Sequence, residues 1–500
     1  MGFHTTNSDK IPTGLTYHYL RSCASRGRHS LLQSLAVALV LLWPGLAQAA
    51  TDLRLVTAVK AREWKGARVL VRQVDVNARE ADGATALLWA AQWDHLPTAE
   101  ALLAAGADPN AANVYGVTPL YFAATNGSPA LTTLLLRHGA RASSTLPTGE
   151  TALMTAARTG NLAVVDALLE AGADLAAREK EKGQTALLWA LAEGHRVVVR
   201  RLVEQGADIR ARTAAGYTPL LFAVRHGDID SVRLFLGKGA QVNEAATDGT
   251  TPLLMAVVRG HVEIAELLLD TGADAKANGT GYTALHWAAG TWESAFARDY
   301  RAGDWPRLVG LAGSRRLRTI AALLDHGADV NARATRFVPR FGSSAWKIHN
   351  GASPLGATPF FFAATVGDIE VMQALLARGA DPAIGTQDGT TPLIATAGLA
   401  VEESETRIPE SRHLDAVKLL IDRGADVKAV NAQGDTALHG AAFLGYGTVA
   451  RYLLERGAAL NARNKSGQTP YRIALGIMVT QMFFSHPETA ALLKDAGGIE

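Results

Sequence analysis

The 500-residue sequence predicts an all-α solenoid of about twelve helix–turn–helix units, each closed by a hairpin loop, with insertions late in the chain. Three observations predict it. A threonine opens a TAL- or TPL-type signature at Thr85, Thr118, Thr151, Thr185, Thr218, Thr251, Thr283, Thr358, Thr391, Thr436 and Thr469, and most steps are 32 to 34 residues. After each threonine comes a short alanine-rich stretch, then a turn, then a second stretch striped with leucine and valine. Each copy closes on a Gly-Ala-Asp type tail and another turn. A unit of about 33 residues cannot bury its apolar side alone, so neighbours must stack and share a continuous core.

The copy at 147–179 shows why each part folds as it does. Thr151 can accept a bond from an orphan backbone N–H and so cap the first helix. Pro119, Pro219, Pro252, Pro359 and Pro392 follow the threonine in sister copies, at a helical position that needs no N–H. Leu153, Ala156 and Ala157 give this inner helix a thin face that lets its neighbour approach. Thr159-Gly160 turns the chain. Val164, Val165, Leu168 and Leu169 form the stripe of an amphipathic outer helix. Gly172 stands where that helix ends in a left-handed residue. The tail then runs to a polar turn such as Thr247-Asp248-Gly249.

The segments TALHWAA at 283–289, TALHGAA at 436–442 and GADVNAR at 327–333 recur in phase. With them the chain resembles the ankyrin-repeat family over 53–498. The resemblance implies an L-shaped repeat, a concave protein-binding surface and no catalytic residues. It names no ligand.

The chain divides in order. Residues 21–50 place Arg21, Arg26 and Arg28 before an apolar run from Leu31 to Trp43, a Pro44-Gly45 break and a small-x-small Ala47-Gln48-Ala49. This predicts a signal peptide over 1–49, cleaved between Ala49 and Ala50. An uncleaved anchor is the alternative, although the run is short for a membrane span. The style of the leader suggests a bacterial protein that is periplasmic or secreted. Residues 50–80 are a degenerate N-terminal capping repeat. Repeats fill 81–464, with insertions at 291–315, 336–355 and 401–413, and 465–500 is the C-terminal cap. The acidic, polar stretch 401–413 reads as a solvated loop.

Charge and cysteine narrow the function. The formal net charge is +2, and without residues 1–49 it becomes 45 Lys and Arg against 46 Asp and Glu, or −1. That balance predicts no nucleic-acid partner, and a cleaved signal leaves no stable membrane insertion. Cys23, the only cysteine, lies in the leader, so the mature chain has no disulfide, thiol nucleophile or cysteine metal ligand. No metal, cofactor or catalytic constellation is expected. His261-Val-Glu263 resembles half of a zinc deaminase signature but lacks the cysteine pair. His286 and His439 hold the imidazole position of the ankyrin signature, where the resemblance implies a bridge between loops. His195 and His261 fall in the inter-helix turn. His138 and His326 precede the helix-ending glycine. Asp174, Asp208, Asp274, Asp329, Asp381 and Asp426 read as solvated tail residues rather than an acid–base pair.

One or more proteins are therefore the expected partners, held by tips and inner-helix ends. Trp93, Tyr115, Asn126, Tyr217, His226 and Tyr282 are the candidate contacts, because variable tip residues carry no folding duty and Tyr and Trp dominate binding hot spots. Trp89, Phe122, Trp189, Phe222, Trp287 and Phe362 recur once per unit, either as core rings bridging units or as an exposed aromatic lining. Trp292, Trp305 and Trp346 lie in the first two insertions and either pack on the repeats or form a contact surface. Carbohydrate or small-molecule binding at 291–355, or service as an accessory subunit of a periplasmic enzyme, are the alternative functions.

Overall fold

The computed structural model describes residues 52–290, 311, 313–336, 355–399, 409–479 and 482–500. The expected signal segment with Ala49 and Ala50 lies outside them, in a separate N-terminal unit, Met1–Thr51. Trp292, Trp305 and Trp346 lie outside them too. Within Asp52–Glu500, twelve helix pairs follow one another, from Arg54–Lys60 with Trp64–Leu70 to Pro470–Leu475 with Pro487–Asp495. Each inner helix packs on the inner helix of the next pair and on its own outer helix. No helix among the described residues is long and apolar enough to cross a membrane.

The repeating threonine does what its chemistry dictates. All eleven cap an inner helix, each hydroxyl accepting the N–H three residues on at 3.1–3.4 Å. The inner helices contribute small buried faces, such as Ala152, Leu153, Ala156 and Ala157, and the outer helices contribute stripes such as Val164, Val165 and Leu168. All of these belong to one continuous core that runs from Leu55 to Leu493.

Three kinds of polar rung tie neighbouring units. The first runs along the hairpin loops. Val114 N–H donates to the Asp82 carbonyl (2.7 Å), Lys180 to Thr148 (2.8 Å), Ala214 to Lys182 (2.7 Å) and Thr247 to Ala215 (3.1 Å). Pro147 has no N–H to give at this register. The second uses the asparagine of the tail. The Asn77 amide donates to the Gly106 carbonyl (3.1 Å) and accepts from Asp108 N–H (2.8 Å), and Asn110, Asn243 and Asn331 repeat the pattern. Ser143 substitutes with its hydroxyl. The third lies at the inter-helix turn, where Asn161 donates to the Gly127 carbonyl (2.7 Å) and His195 Nε2 bonds the Arg158 carbonyl (2.9 Å).

The structure departs from the sequence reading at the insertions. The outer helix after the first begins at Gly313, so residues 313–315 are helical. The outer helix after the third begins at Glu410, and His413, expected in a solvated loop, is fully buried. The inner helix before it is short, Pro392–Ile394, and continues as a wider turn over Ala395–Leu399 with Gly398 at φ 137°. This turn lies hard against the next inner helix, Ala437–Leu444: a Cβ on Gly440 would come within 2.9 Å of the Leu399 nitrogen. The last unit carries a small antiparallel ribbon, Ile477–Val479 with Met482–Phe484, in its inter-helix connection.

Candidate functional site

The residue before each capping threonine and the fourth residue after it form two columns along the inner helices. The first column reads Val117, Glu150, Gln184, Tyr217, Thr250 and Tyr282; the second holds the recurring aromatics. The aromatics divide into two groups. Phe222, Trp287 and Phe362 are core residues, whereas Trp89, Phe122 and Trp189 are half-buried and line the surface.

At the N-terminal end the rings are occupied by the protein itself. Trp89 stacks on Trp93 with centroids 6.2 Å apart. Lys60 lies 4.7 Å over Trp89 and Arg62 lies 3.7 Å over Trp93. The Trp89 indole donates to Glu80 at 2.9 Å. Trp64 stacks flat on His95 at 3.9 Å. These contacts seal the first repeat against its neighbour, and Trp93 belongs to that seal.

Asn126 is likewise committed. Its amide donates to the carbonyls of Ala91 (2.9 Å) and Gln92 (3.2 Å), which close the preceding inner helix. Tyr115 stands apart on a hairpin loop beside Val114, and the two are 59% and 66% exposed. His226 ends its inner helix and is half-buried.

Tyr217 and Tyr282 are the two candidates that the fold brings together. Tyr217 sits edge-on to Phe222 (6.1 Å) and Tyr282 stacks on Trp287 (6.4 Å), so each half-buried ring is held by a core ring behind it. Burial pushes both phenols above their ordinary range, and the Asp248 carboxylate acts on both in the same direction. Asp248 is exposed on the intervening hairpin loop. The result is two braced aromatic rings that feel the same carboxylate, a surface suited to polar and stacking contacts.

The other titratable groups serve the scaffold. His286 Nδ1 accepts from the Thr283 N–H (3.1 Å), and its Nε2 bonds the Ala357 carbonyl of the following unit (3.1 Å). His439 does the same with Thr436 and Gln468. Burial pulls the His286 imidazole down to about 4. His138 and His326 fold back on the carbonyls of Leu134 and Ala322. Asp174, Asp208, Asp274, Asp329, Asp381 and Asp426 each accept the N–H two residues on, at 2.8–2.9 Å, and so shape their own turns. Among the described residues no group of three or more His, Cys, Asp or Glu could hold a metal ion.

The sequence reading missed Arg316, and no repeat-register signal marks it. Arg316 enters the core from the outer helix Gly313–Asp325. It donates from Nε to the Ala288 carbonyl (2.8 Å) and from Nη2 to the Ala289 carbonyl, and its Nη1 pairs with Asp368 at 2.8 Å. It thereby closes the inner helix Ala284–Ala289, whose Gly290 is extended rather than left-handed.

The family profile described as "Ankyrin repeats (3 copies)" matches residues 106–179, 175–246, 220–295 and 408–488, and the single "Ankyrin repeat" profile matches 82–114 and 355–387. Among curated proteins, the chain is 35% identical over 118 residues to mouse "Ankyrin repeat and SOCS box protein 16", covering 24% of this chain and 25% of that one. It is 38% identical over 159 residues to human "SH3 and multiple ankyrin repeat domains protein 2", covering 27% of this chain and 9% of that one. It is 37% identical over 117 residues to mouse "Neurogenic locus notch homolog protein 1", covering 23% and 4%. The chain thus spans a quarter or less of the length of these relatives.

Proposed function

The chain belongs to the ankyrin-repeat family, whose repeats generally bind other proteins, and on that premise we propose that it is a non-catalytic scaffold exported from a bacterial cell. It holds one or more proteins on the concave surface made by its hairpin loops and inner helices. The observation that carries this reading is the bracing of Tyr217 by Phe222 and of Tyr282 by Trp287. Two rings braced from behind by Phe222 and Trp287 lose little freedom on contact, and such pre-organised aromatics concentrate binding energy. Export rests on the basic-apolar-small order of residues 21–50.

In-cell crosslinking tests both parts. A photoreactive residue replacing Tyr217 or Tyr282 in tagged full-length protein should capture a small, reproducible set of partners. The same residue at Val197, exposed on an outer helix, should not. The mature N-terminus should read from Ala50. A folded protein with no partner at any position, or with identical captures from both faces, would overturn the binding reading. An intact N-terminus in the cytosolic fraction would overturn export.

A further inference from the structure

We propose that His413 is an acid-sensing residue, and that its protonation opens the joint between the helix Glu410–Asp422 and the repeat that follows. The geometry is unlike that of any other histidine among the described residues. Glu410–Asp422 is 13 residues long, where the regular outer helices have about nine, and His413 lies in the additional first turn. Its side chain is 0% exposed, facing the turn Ala395–Leu399 on one side and the Tyr446 ring, at 5.2 Å, on the other. Neither ring nitrogen reaches a partner at hydrogen-bond geometry, although the Thr396 backbone lies close enough to favour a proton. His286 and His439, the other fully buried imidazoles, have both nitrogens bonded.

The charges around it are few. Pro392–Ile394 and Ala395–Leu399 carry no titratable side chain. Ile369–Leu376 brings Glu370 and, at its cap, Asp368, which is paired with Arg316. The next repeat presents Tyr446 and, on Gly447–Glu455, Arg451, Tyr452 and Glu455. Its own helix supplies Glu410 and Arg412, which act on the imidazole in opposite directions. Glu410 is already engaged: its carboxylate accepts from Thr448 N–H (2.7 Å) and Val449 N–H (3.0 Å), capping the first turn of the next outer helix. Residues three apart share a helix face, so a charged His413 competes for that carboxylate and draws the cap away. The imidazolium also has no water to solvate it where it stands.

Burial holds the neutral form down to about 4, against an ordinary value of 6.5. The folded state therefore binds a proton less readily than the unfolded one. The stability that neutral His413 permits is complete above about 6.5 and is lost as pH falls from there toward about 4. At about pH 5 the shift corresponds to an opening constant about twentyfold larger than at neutral pH.

Hydrogen exchange of the full-length protein, corrected for the intrinsic pH dependence of exchange, tests this. Between about pH 7 and about pH 5, amides of 410–455 should lose about twentyfold in protection beyond any loss at 86–270. His413→Leu should remove that increment and leave the contributions of His286 and His439. If His413→Leu fails to fold, the titration of the His413 ring in the wild-type protein, followed by NMR, decides. Titration at the ordinary histidine value overturns the proposal, as does the same pH-dependent loss in a folded His413→Leu protein. Titration near 4 with the loss confined to 410–455 supports it.

Discussion

The two halves of the solenoid solve one problem in different ways. From 52 to 279 the units follow without interruption, and their joints rest on many small polar rungs near the surface: loop N–H groups, tail asparagines and turn residues such as Asn161 and His195. From 280 to 464 the register is broken, and to loop and tail rungs of the same kind, such as Gln387 N–H to the Leu355 carbonyl and Asn331 to Gly379, the joints add buried side chains: Arg316, His286, His413 and His439. The difference follows from geometry. An uninterrupted copy places its turn one unit away from the next, where a short amide reaches a neighbouring carbonyl. At the end of Ala284–Ala289 Gly290 is extended rather than left-handed, and the long side chain of Arg316 closes the helix end. Distributed rungs fail one at a time, whereas a single buried charge fails all at once.

The largest effect should therefore come from Arg316→Ala. Removal leaves the half-buried Asp368 carboxylate without its cation and frees the carbonyls of Ala288 and Ala289. Breaking one partner of a buried ion pair costs about 3–5 kcal/mol. Chemical denaturation followed by local hydrogen exchange should show the loss concentrated between 284 and 376. A loss below about 1 kcal/mol would mean that the broken half is held by more than this clip.

A middle-sized effect belongs to the regular half. Gly206 ends an outer helix at φ +90°, with open space around the position a side chain would take. Gly206→Val has no clash to make, so its cost is backbone strain alone, on the order of 1–3 kcal/mol. Nearest-neighbour coupling should spread that loss to the adjoining repeats and spare both ends. Uniform loss of protection from 52 to 500 would contradict the division into separately held joints.

The regular half was almost wholly legible in the sequence, because period, cap and glycine report the same local physics in every copy. Thr151, Gly172 and His195 stand where spacing alone puts them. In the broken half the signature residues, His286 and His439 among them, were legible, and the residues beside the insertions were not, for a physical reason. Arg316 and His413 sit beside insertions, where composition suggests solvent and no sister copy supplies a register. Their burial depends on what the neighbouring unit leaves open, such as the wide turn at Ala395–Leu399, and that is a property of packing rather than of local sequence. Of the partner-binding candidates, Tyr217 and Tyr282 share one surface because their spacing follows the repeat. Trp93 and Asn126 bond to the adjoining unit, a choice set by Arg62 and by the Ala91 carbonyl rather than by residue type.

The smallest effect is a gain, and it asks whether the rungs really act one by one. Ala176 occupies the tail position held by Asn77, Asn110 and Asn243 in sister copies, and it has no side chain to reach the next unit. Its counterparts there, by register, are the Gly206 carbonyl and the Asp208 N–H. Ala176→Asn should supply both bonds, as Asn77 does with Gly106 and Asp108. Each exposed bond contributes about 0.5–1 kcal/mol at most, less the entropy of fixing the amide, so the net gain is about 1 kcal/mol or below. Hydrogen exchange should place the added protection between 152 and 237. Combined with Gly206→Val the gain should shrink, because the carbonyl that receives the new amide belongs to the strained residue. Additivity of the two changes would show that a rung survives distortion of its own acceptor, and that the regular half is more forgiving than its short bonds suggest.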